Sequence, residues 1–227
     1  MFYNELKAIM ACEEDPSLIF ELIKEGHMDV VDKVLFKKKV DLNLTDEDGN
    51  SIVMRLLKAK QYRLVLKYIK KENWNVNHQN KVGDTFSHIL CTMDYKYVMD
   101  IIKEVKRNKA FDPNIKNNKG QTILDKAIEN NYMYTTQKVL EDKRFTDIDI
   151  MSFKNLYETF IKTNEYGRYT KLTNLEVVMK NIEKKPLLPK MQKLLNYVNN
   201  NLKVIEEEIL SNASVQMDHF INKLLEA

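Results

Sequence analysis

Gly49, Gly83 and Gly120 recur at intervals of 34 and 37 residues, and each opens a similar stretch: Gly-Asn-Ser-Ile-Val-Met, Gly-Asp-Thr-Phe-Ser-His and Gly-Gln-Thr-Ile-Leu-Asp. Asn43, Asn77 and Asn114 each precede one of them by six residues and keep the same intervals. A period of roughly 33 to 35 residues predicts repeated units that cannot bury their apolar faces alone and therefore stack on their neighbours. With 5 glycines in 227 residues, their placement carries information. Glycine adopts positive φ freely, which suits a tight turn before a helix or a helix C-terminus. Ser51, Thr85 and Thr122 follow the three glycines at the second position, where a hydroxyl starts a helix by accepting from its free amides.

Each unit then reads as helix, short turn, helix and extended loop. In the first, Asp15-Pro16 precedes an apolar period from Ser17 to Ile23, Gly26-His27 breaks it, and a second amphipathic stretch runs from Asp29 to Phe36. The loop ends recur as Asp41-Leu-Asn43, Asn75-Val-Asn77, Asp112-Pro-Asn114 and Asp147-Ile-Asp149. In this order of motifs the chain resembles the ankyrin repeat family, whose unit carries Gly-x-Thr-Pro-Leu-His, a Gly-His turn, Val-Val-x-x-Leu-Leu and Asp-Val-Asn. Gly26-His27-Met-Asp-Val30-Val31 matches the inter-helix turn and the start of the second helix. Asn131 stands at the inter-helix glycine of the fourth unit and Asn155 where the next loop glycine would be, and asparagine tolerates the left-handed conformation. The motif proline is absent, being Leu18, Ile52, Phe86 and Ile123, so the repeats are divergent.

The resemblance implies an all-α fold, an ankyrin-repeat helical solenoid with a C-terminal helical extension. Residues 1–13 are expected as an N-terminal capping helix, 14–150 as four repeats, 151–185 as a degenerate fifth repeat or cap, and 186–227 as a helical hairpin. Met191, Leu194, Leu195, Val198, Leu202, Ile205 and Ile209 give Lys190 to Leu210 the period of one amphipathic helix, and Val215 to Leu225 follows as another.

Composition narrows the function. The 36 basic and 33 acidic residues are mixed along the length, so charge argues for no nucleic-acid partner. Cys12 and Cys91 lie in apolar surroundings and form no disulfide framework, which fits an intracellular, cytoplasmic protein. No apolar stretch approaches the roughly 18 residues of a membrane span and no targeting segment is recognised, so no membrane partner is expected. Richness in Lys and Asn suits an AT-rich genome of a virus, intracellular bacterium or protist, which admits a host-interaction factor in the host cytoplasm.

Chemistry-bearing clusters are sparse. His88 and Cys91 stand one helical turn apart, the spacing of a nucleophile and its base, and Asp94 completes a conceivable metal trio. The resemblance instead makes His88 the structural histidine that bonds backbone between repeats, with Cys91 a small core residue. His27, His78 and His219 are isolated, and phosphate-loop, nucleophile-elbow and zinc-helix motifs are missing, so neither catalysis, metal nor cofactor is expected. Tyr62-Arg63, Tyr68, Lys70-Lys71 and Trp74 read either as a base-stacking platform or as packing residues beside solvated lysines. Glu206-Glu-Glu208 reads as a solvated face.

The expected function is protein binding through the concave surface and loop tips. The tips contain Thr45, Glu47 and Asp48, then Gln79 and Lys81, then Lys116 and Lys119, grading from acidic to basic in a way that would orient a partner. Ile52, Phe86 and Ile123 replace the motif proline with large apolar side chains; exposed they would form a binding stripe, buried they are core. Alternatives are a homodimer through the C-terminal helices, a cryptic cysteine hydrolase at Cys91 and His88, and a nucleic-acid binder using Lys81, Lys116 and Lys119.

Overall fold

The computed structural model describes residues 5–37, 40–71, 73–93, 95–130, 133–162, 176–211 and 215–226. Regular structure among them is helical: α1 Glu5–Glu14, α2 Leu18–Glu25, α3 Met28–Phe36, α4 Ile52–Lys58, α5 Tyr62–Ile69, α6 Phe86–Leu90, α7 Tyr95–Arg107, α8 Ile123–Glu129, α9 Met133–Leu140, α10 Ile150–Lys162, α11 over 176–182, α12 Pro189–Asn200, α13 Leu202–Ser211 and α14 Val215–Glu226. Two isolated antiparallel bridges, Thr45 with Ser51 and Gln79 with Thr85, pinch the loops before α4 and α6.

The helix starts follow from the hydroxyls. Ser51, Thr85 and Thr122 take extended backbone angles ahead of α4, α6 and α8. Thr85 Oγ1 accepts from the His88 amide and Thr122 Oγ1 from the Asp125 amide, each at 3.4 Å. The third helical residue returns the bond: the Thr85 amide reaches His88 Nδ1 at 3.1 Å, the Thr122 amide Asp125 Oδ2 at 2.7 Å, and the Ser51 amide Met54 Sδ at 3.4 Å. Imidazole, carboxylate and thioether thus serve one reciprocal cap.

The turn between paired helices also recurs. Gly26 closes α2 at φ +83°, with the His27 amide bonded to the Leu22 carbonyl at 2.9 Å. Lys60, 34 residues later, takes φ +57°, and the Gln61 amide meets the Leu56 carbonyl at 2.9 Å. The same left-handed helix end is therefore built once with glycine and once with lysine.

The chain divides into two compact units, Met1–Gln121 and Thr122–Ala227, with the boundary falling inside the stretch expected as four repeats. In the first, α2 packs on α4, α4 on α6 and α5 on α7, while α1 lies against α2 and α3 with Ala8, Ile9 and Cys12 buried. Ile19, Leu22, Val34, Leu56, Leu57, Val65 and Val98 form the core. Tyr68, fully buried on α5, donates to Asp32 Oδ1 on α3 at 2.6 Å, and Lys67 Nζ reaches the same oxygen at 2.6 Å.

The second unit is built around α10, which touches α8, α12, α13 and α14 and buries Phe153, Leu156 and Tyr157. Four expectations change here. Asn155 sits inside α10 rather than at a turn, because α10 begins at Ile150, where the Asp149 carboxylate accepts from the Ser152 amide at 2.7 Å. The helix expected from Lys190 to Leu210 is two helices, broken at Asn201, whose own amide and side-chain nitrogen both bond the Tyr197 carbonyl. Asparagine at the end of the Asn199-Asn-Asn201 run competes for helix backbone in this way. Glu208 is buried rather than solvated, accepting from the Tyr157 hydroxyl at 3.1 Å and capping the amides of Gln216 and Met217 at the start of α14. Met191, Leu194, Leu195, Val198 and Ile205 are buried inside this unit, so the face that the dimer reading exposes is turned inward at these positions. Asn131, Asp94 and residues 163–175 of the stretch expected as a fifth repeat or cap lie outside the described residues.

Candidate interaction surface

Each loop tip is folded by one side chain standing three residues before its glycine. Asp46 Oδ1 accepts from the amides of Asp48 and Asn50, Asn80 Oδ1 from those of Val82 and Asp84, and Asn117 Oδ1 from those of Lys119 and Gln121, all between 2.7 and 3.1 Å. A short polar side chain bonding backbone two and four residues ahead replaces the ladder that a longer strand would supply. Gly83, at φ +78°, completes the second tip; a Cβ there would lie 2.5 Å from the Asn118 nitrogen, so glycine is required by angle and by space.

The tips then bond to one another. The Lys81 amide donates to the Asp48 carbonyl at 2.9 Å, and the Asn118 amide to the Val82 carbonyl at 3.1 Å. Asn80 Nδ2 donates to Asn50 Oδ1 at 2.9 Å and Asn117 Nδ2 to Asp84 Oδ1 at 2.8 Å. Gln79 Nε2 spans to the Lys116 carbonyl at 2.9 Å, and His78 Nε2 lies 2.7 Å from the Gly49 carbonyl. Arg55 on α4 holds the largely buried Asp46 at 3.1 Å. Three loops 34 and 37 residues apart thereby form one hydrogen-bonded edge of the first unit.

Of the residues singled out from sequence, Thr45, Glu47, Asp48, Gln79, Lys81, Lys116 and Lys119 are exposed and share this edge. Gln79 spends its amide on backbone. Ile52, Phe86 and Ile123 do not join them: they are 0%, 1% and 4% exposed, members of the core. Phe86 meets the Trp74 ring edge-on at 5.2 Å, which explains the apolar replacement of proline as a packing choice within the unit. Val82, 59% exposed between Lys81 and Gly83, is an apolar tip residue that the sequence reading passed over, though an apolar side chain inside an Asn- and Lys-rich loop is the visible sign of it.

The histidines and cysteines are also placed. His88, fully buried, receives the Thr85 amide at Nδ1 and directs Nε2 to the Gln121 carbonyl at 3.0 Å, so these partners assign the proton to Nε2. Cys91 is buried, and desolvation pushes its thiol up to about 12, far from the thiolate that nucleophilic attack needs. Tyr68 and Trp74 are buried, the latter donating from Nε1 to the Ile69 carbonyl at 2.8 Å, so neither offers a stacking face. Among the described residues no group of three or more His, Cys, Asp or Glu is arranged to hold a metal ion, and no helix is long and apolar enough to cross a membrane.

The asparagines that set the period have a role that spacing alone conceals. Asn43 Nδ2 donates to the Asn73 carbonyl at 2.8 Å while its Oδ1 accepts from the Asn75 amide at 2.6 Å. Asn77 repeats this with the Ala110 carbonyl at 2.6 Å and the Asp112 amide at 3.0 Å. Each is a two-point clamp on the backbone of the following loop. No family model and no curated protein matches the chain.

Proposed function

We propose that the paired helices of residues 14–150 belong to a divergent ankyrin-like solenoid, and that the chain is a non-catalytic intracellular module that binds a protein partner through the loop-tip edge. The observation that supports this reading is the edge itself: three tips tied by backbone and amide hydrogen bonds, presenting Glu47, Asp48, Lys81, Val82, Lys116 and Lys119 to solvent. A rigid edge loses little conformational freedom on binding, which raises the affinity available from a given contact area. Acidic side chains at one end and lysines at the other favour a partner of opposite polarity, setting its orientation and speeding encounter. Ankyrin-like proteins generally act as scaffolds, adaptors or inhibitors, and this assignment rests on that analogy.

The test is affinity capture from source-cell lysate with the unaltered chain, with Glu47→Lys/Asp48→Lys, with Lys116→Glu/Lys119→Glu, and with Lys193→Glu/Lys223→Glu as a charge-matched control on exposed helical positions. Circular dichroism checks folding in all four. A partner kept by the control and lost from both tip variants is the expected outcome; a partner kept by all four removes the edge from consideration.

A further inference from the structure

The link between α11 and α12, inside the second unit, reads Pro186-Leu-Leu-Pro189. Both prolines are exposed, Leu188 is 66% exposed and Leu187 is half-buried. Proline fixes its own φ and bars the residue before it from the helical region, so the link is extended by its own chemistry. Leu188 takes φ −65° and ψ 151°, the angles of a polyproline II helix. That helix has no internal hydrogen bonds, and the Leu187 and Leu188 amides and the Pro186 and Leu187 carbonyls make none among the described residues. The link is nevertheless held at both ends. Lys185 is buried and donates from Nζ to the Asp142 carbonyl, and Pro189 opens α12, where the Gln192 amide donates to the Leu188 carbonyl at 3.0 Å. The flanking charge is Lys184 and Lys190, both exposed, against Glu183, whose carboxylate accepts from Asn199 Nδ2 at 3.1 Å.

We propose that this link is a docking motif for a folded domain of the SH3 type, whose aromatic-lined groove reads two prolines three residues apart and carries carboxylates at its edge. Three residues per turn set Pro186 and Pro189 on one edge of the extended backbone, with Leu188 beside them in solvent and Leu187 turned toward the protein. The prolines and Leu188 supply the apolar face, the unbonded carbonyls accept from the groove, and the two lysines meet its carboxylates. Because the link is already extended and tied at each end, it loses little conformational freedom on docking. A sheet edge fits it less well, since each proline lacks the amide that a strand ladder needs. The motif is separate from the loop-tip edge in its residues and in its partner, and does not depend on the reading of that edge.

An array of purified SH3 domains, with WW domains as a second class of proline reader, is probed with the full chain, and each binder is titrated by calorimetry. The chain, Pro186→Ala/Leu188→Ala, Leu188→Ala alone and Val82→Ala, which trims an exposed apolar side chain on the loop-tip edge, are compared after circular dichroism has shown equal folding. Saturable one-to-one binding to at least one SH3 domain is expected, weakened about tenfold or more by the double variant, about threefold or more by Leu188→Ala and by less than about twofold by Val82→Ala. Where Pro186→Ala alters the fold, Leu188→Ala decides alone, since it keeps both prolines and trims a solvent-facing side chain. Lys184→Glu/Lys190→Glu is expected to weaken the same complex about threefold or more and to flatten its salt dependence; a complex indifferent to it overturns the carboxylate-edged groove. No SH3 domain binding with Kd tighter than about 100 μM, binding to WW domains alone, or equal binding by the parent and Leu188→Ala overturns the proposal.

Discussion

Lys60 occupies a left-handed turn that its counterpart 34 residues earlier fills with glycine, and L-residues reach that region only at a cost. The strain amounts to about 1 to 2 kcal/mol, against about 0.5 to 1 kcal/mol for the extra unfolded-state freedom of glycine. Lys60→Gly is therefore expected to stabilise the chain by about 0.5 to 1 kcal/mol, visible as a higher denaturation midpoint at unchanged slope. The reverse holds at Gly83. Alanine there adds a Cβ 2.5 Å from the Asn118 nitrogen at φ +78°, so it must displace the tip-to-tip bond. Gly83→Ala is expected to cost about 2 to 4 kcal/mol, and a midpoint within experimental error of the parent would show that the tip ladder yields easily.

At the scale of elements, α3 and α5 are tied through Asp32, which accepts from Lys67 Nζ and the Tyr68 hydroxyl, each at 2.6 Å. Burial pushes the Asp32 carboxyl up, but the hydrogen bonds from Lys67 and Tyr68 outweigh it and leave the group a stronger acid than usual. The unfolded chain then holds the proton more tightly. The tie contributes above the ordinary carboxylate value near 3.9 and is lost as pH falls through the lower folded value. Solvent reaches the pair, whose side chains are 42% and 34% exposed, so the effect is small. The melting-temperature gap between the parent and Asp32→Asn should narrow between about pH 6 and pH 3; a gap constant across that range would mean that charge plays no part. In the second unit, α14 starts against the Glu208 carboxylate, a cap supplied from another helix rather than from the adjoining sequence. Such a partner is invisible to local reading, which is why Glu208 looks like part of a solvated run.

For the whole molecule the exposed charge is the relevant quantity. A net charge of +3 is small, yet Glu47 and Asp48 face solvent at one end of the loop-tip edge and Lys116 and Lys119 at the other. Association with a partner read by this edge should slow by about tenfold or more between about 20 mM and 300 mM salt, with dissociation changing less. An association rate indifferent to salt, measured by surface resonance, would move recognition to neutral residues such as Val82.

The helical class, the helix starts at Ser51, Thr85 and Thr122, the turn at Gly26 and the positions of the tips were all determined by the sequence. These features depend on short-range chemistry: a hydroxyl reaching an amide three residues on, a glycine relieving a backbone angle, an apolar period of one helical turn. Whether Ile52, Phe86 and Ile123 face solvent or core was decided only by tertiary structure, because a repeat motif states where a residue sits in its unit and not what packs over it. The same holds for Asn43 and Asn77, whose clamps close over 30 to 35 residues, and for Asn155, which repeat register assigns to a turn and α10 absorbs. Burial and long-range hydrogen bonds arise between segments distant in sequence, and no periodicity within one segment specifies its partner.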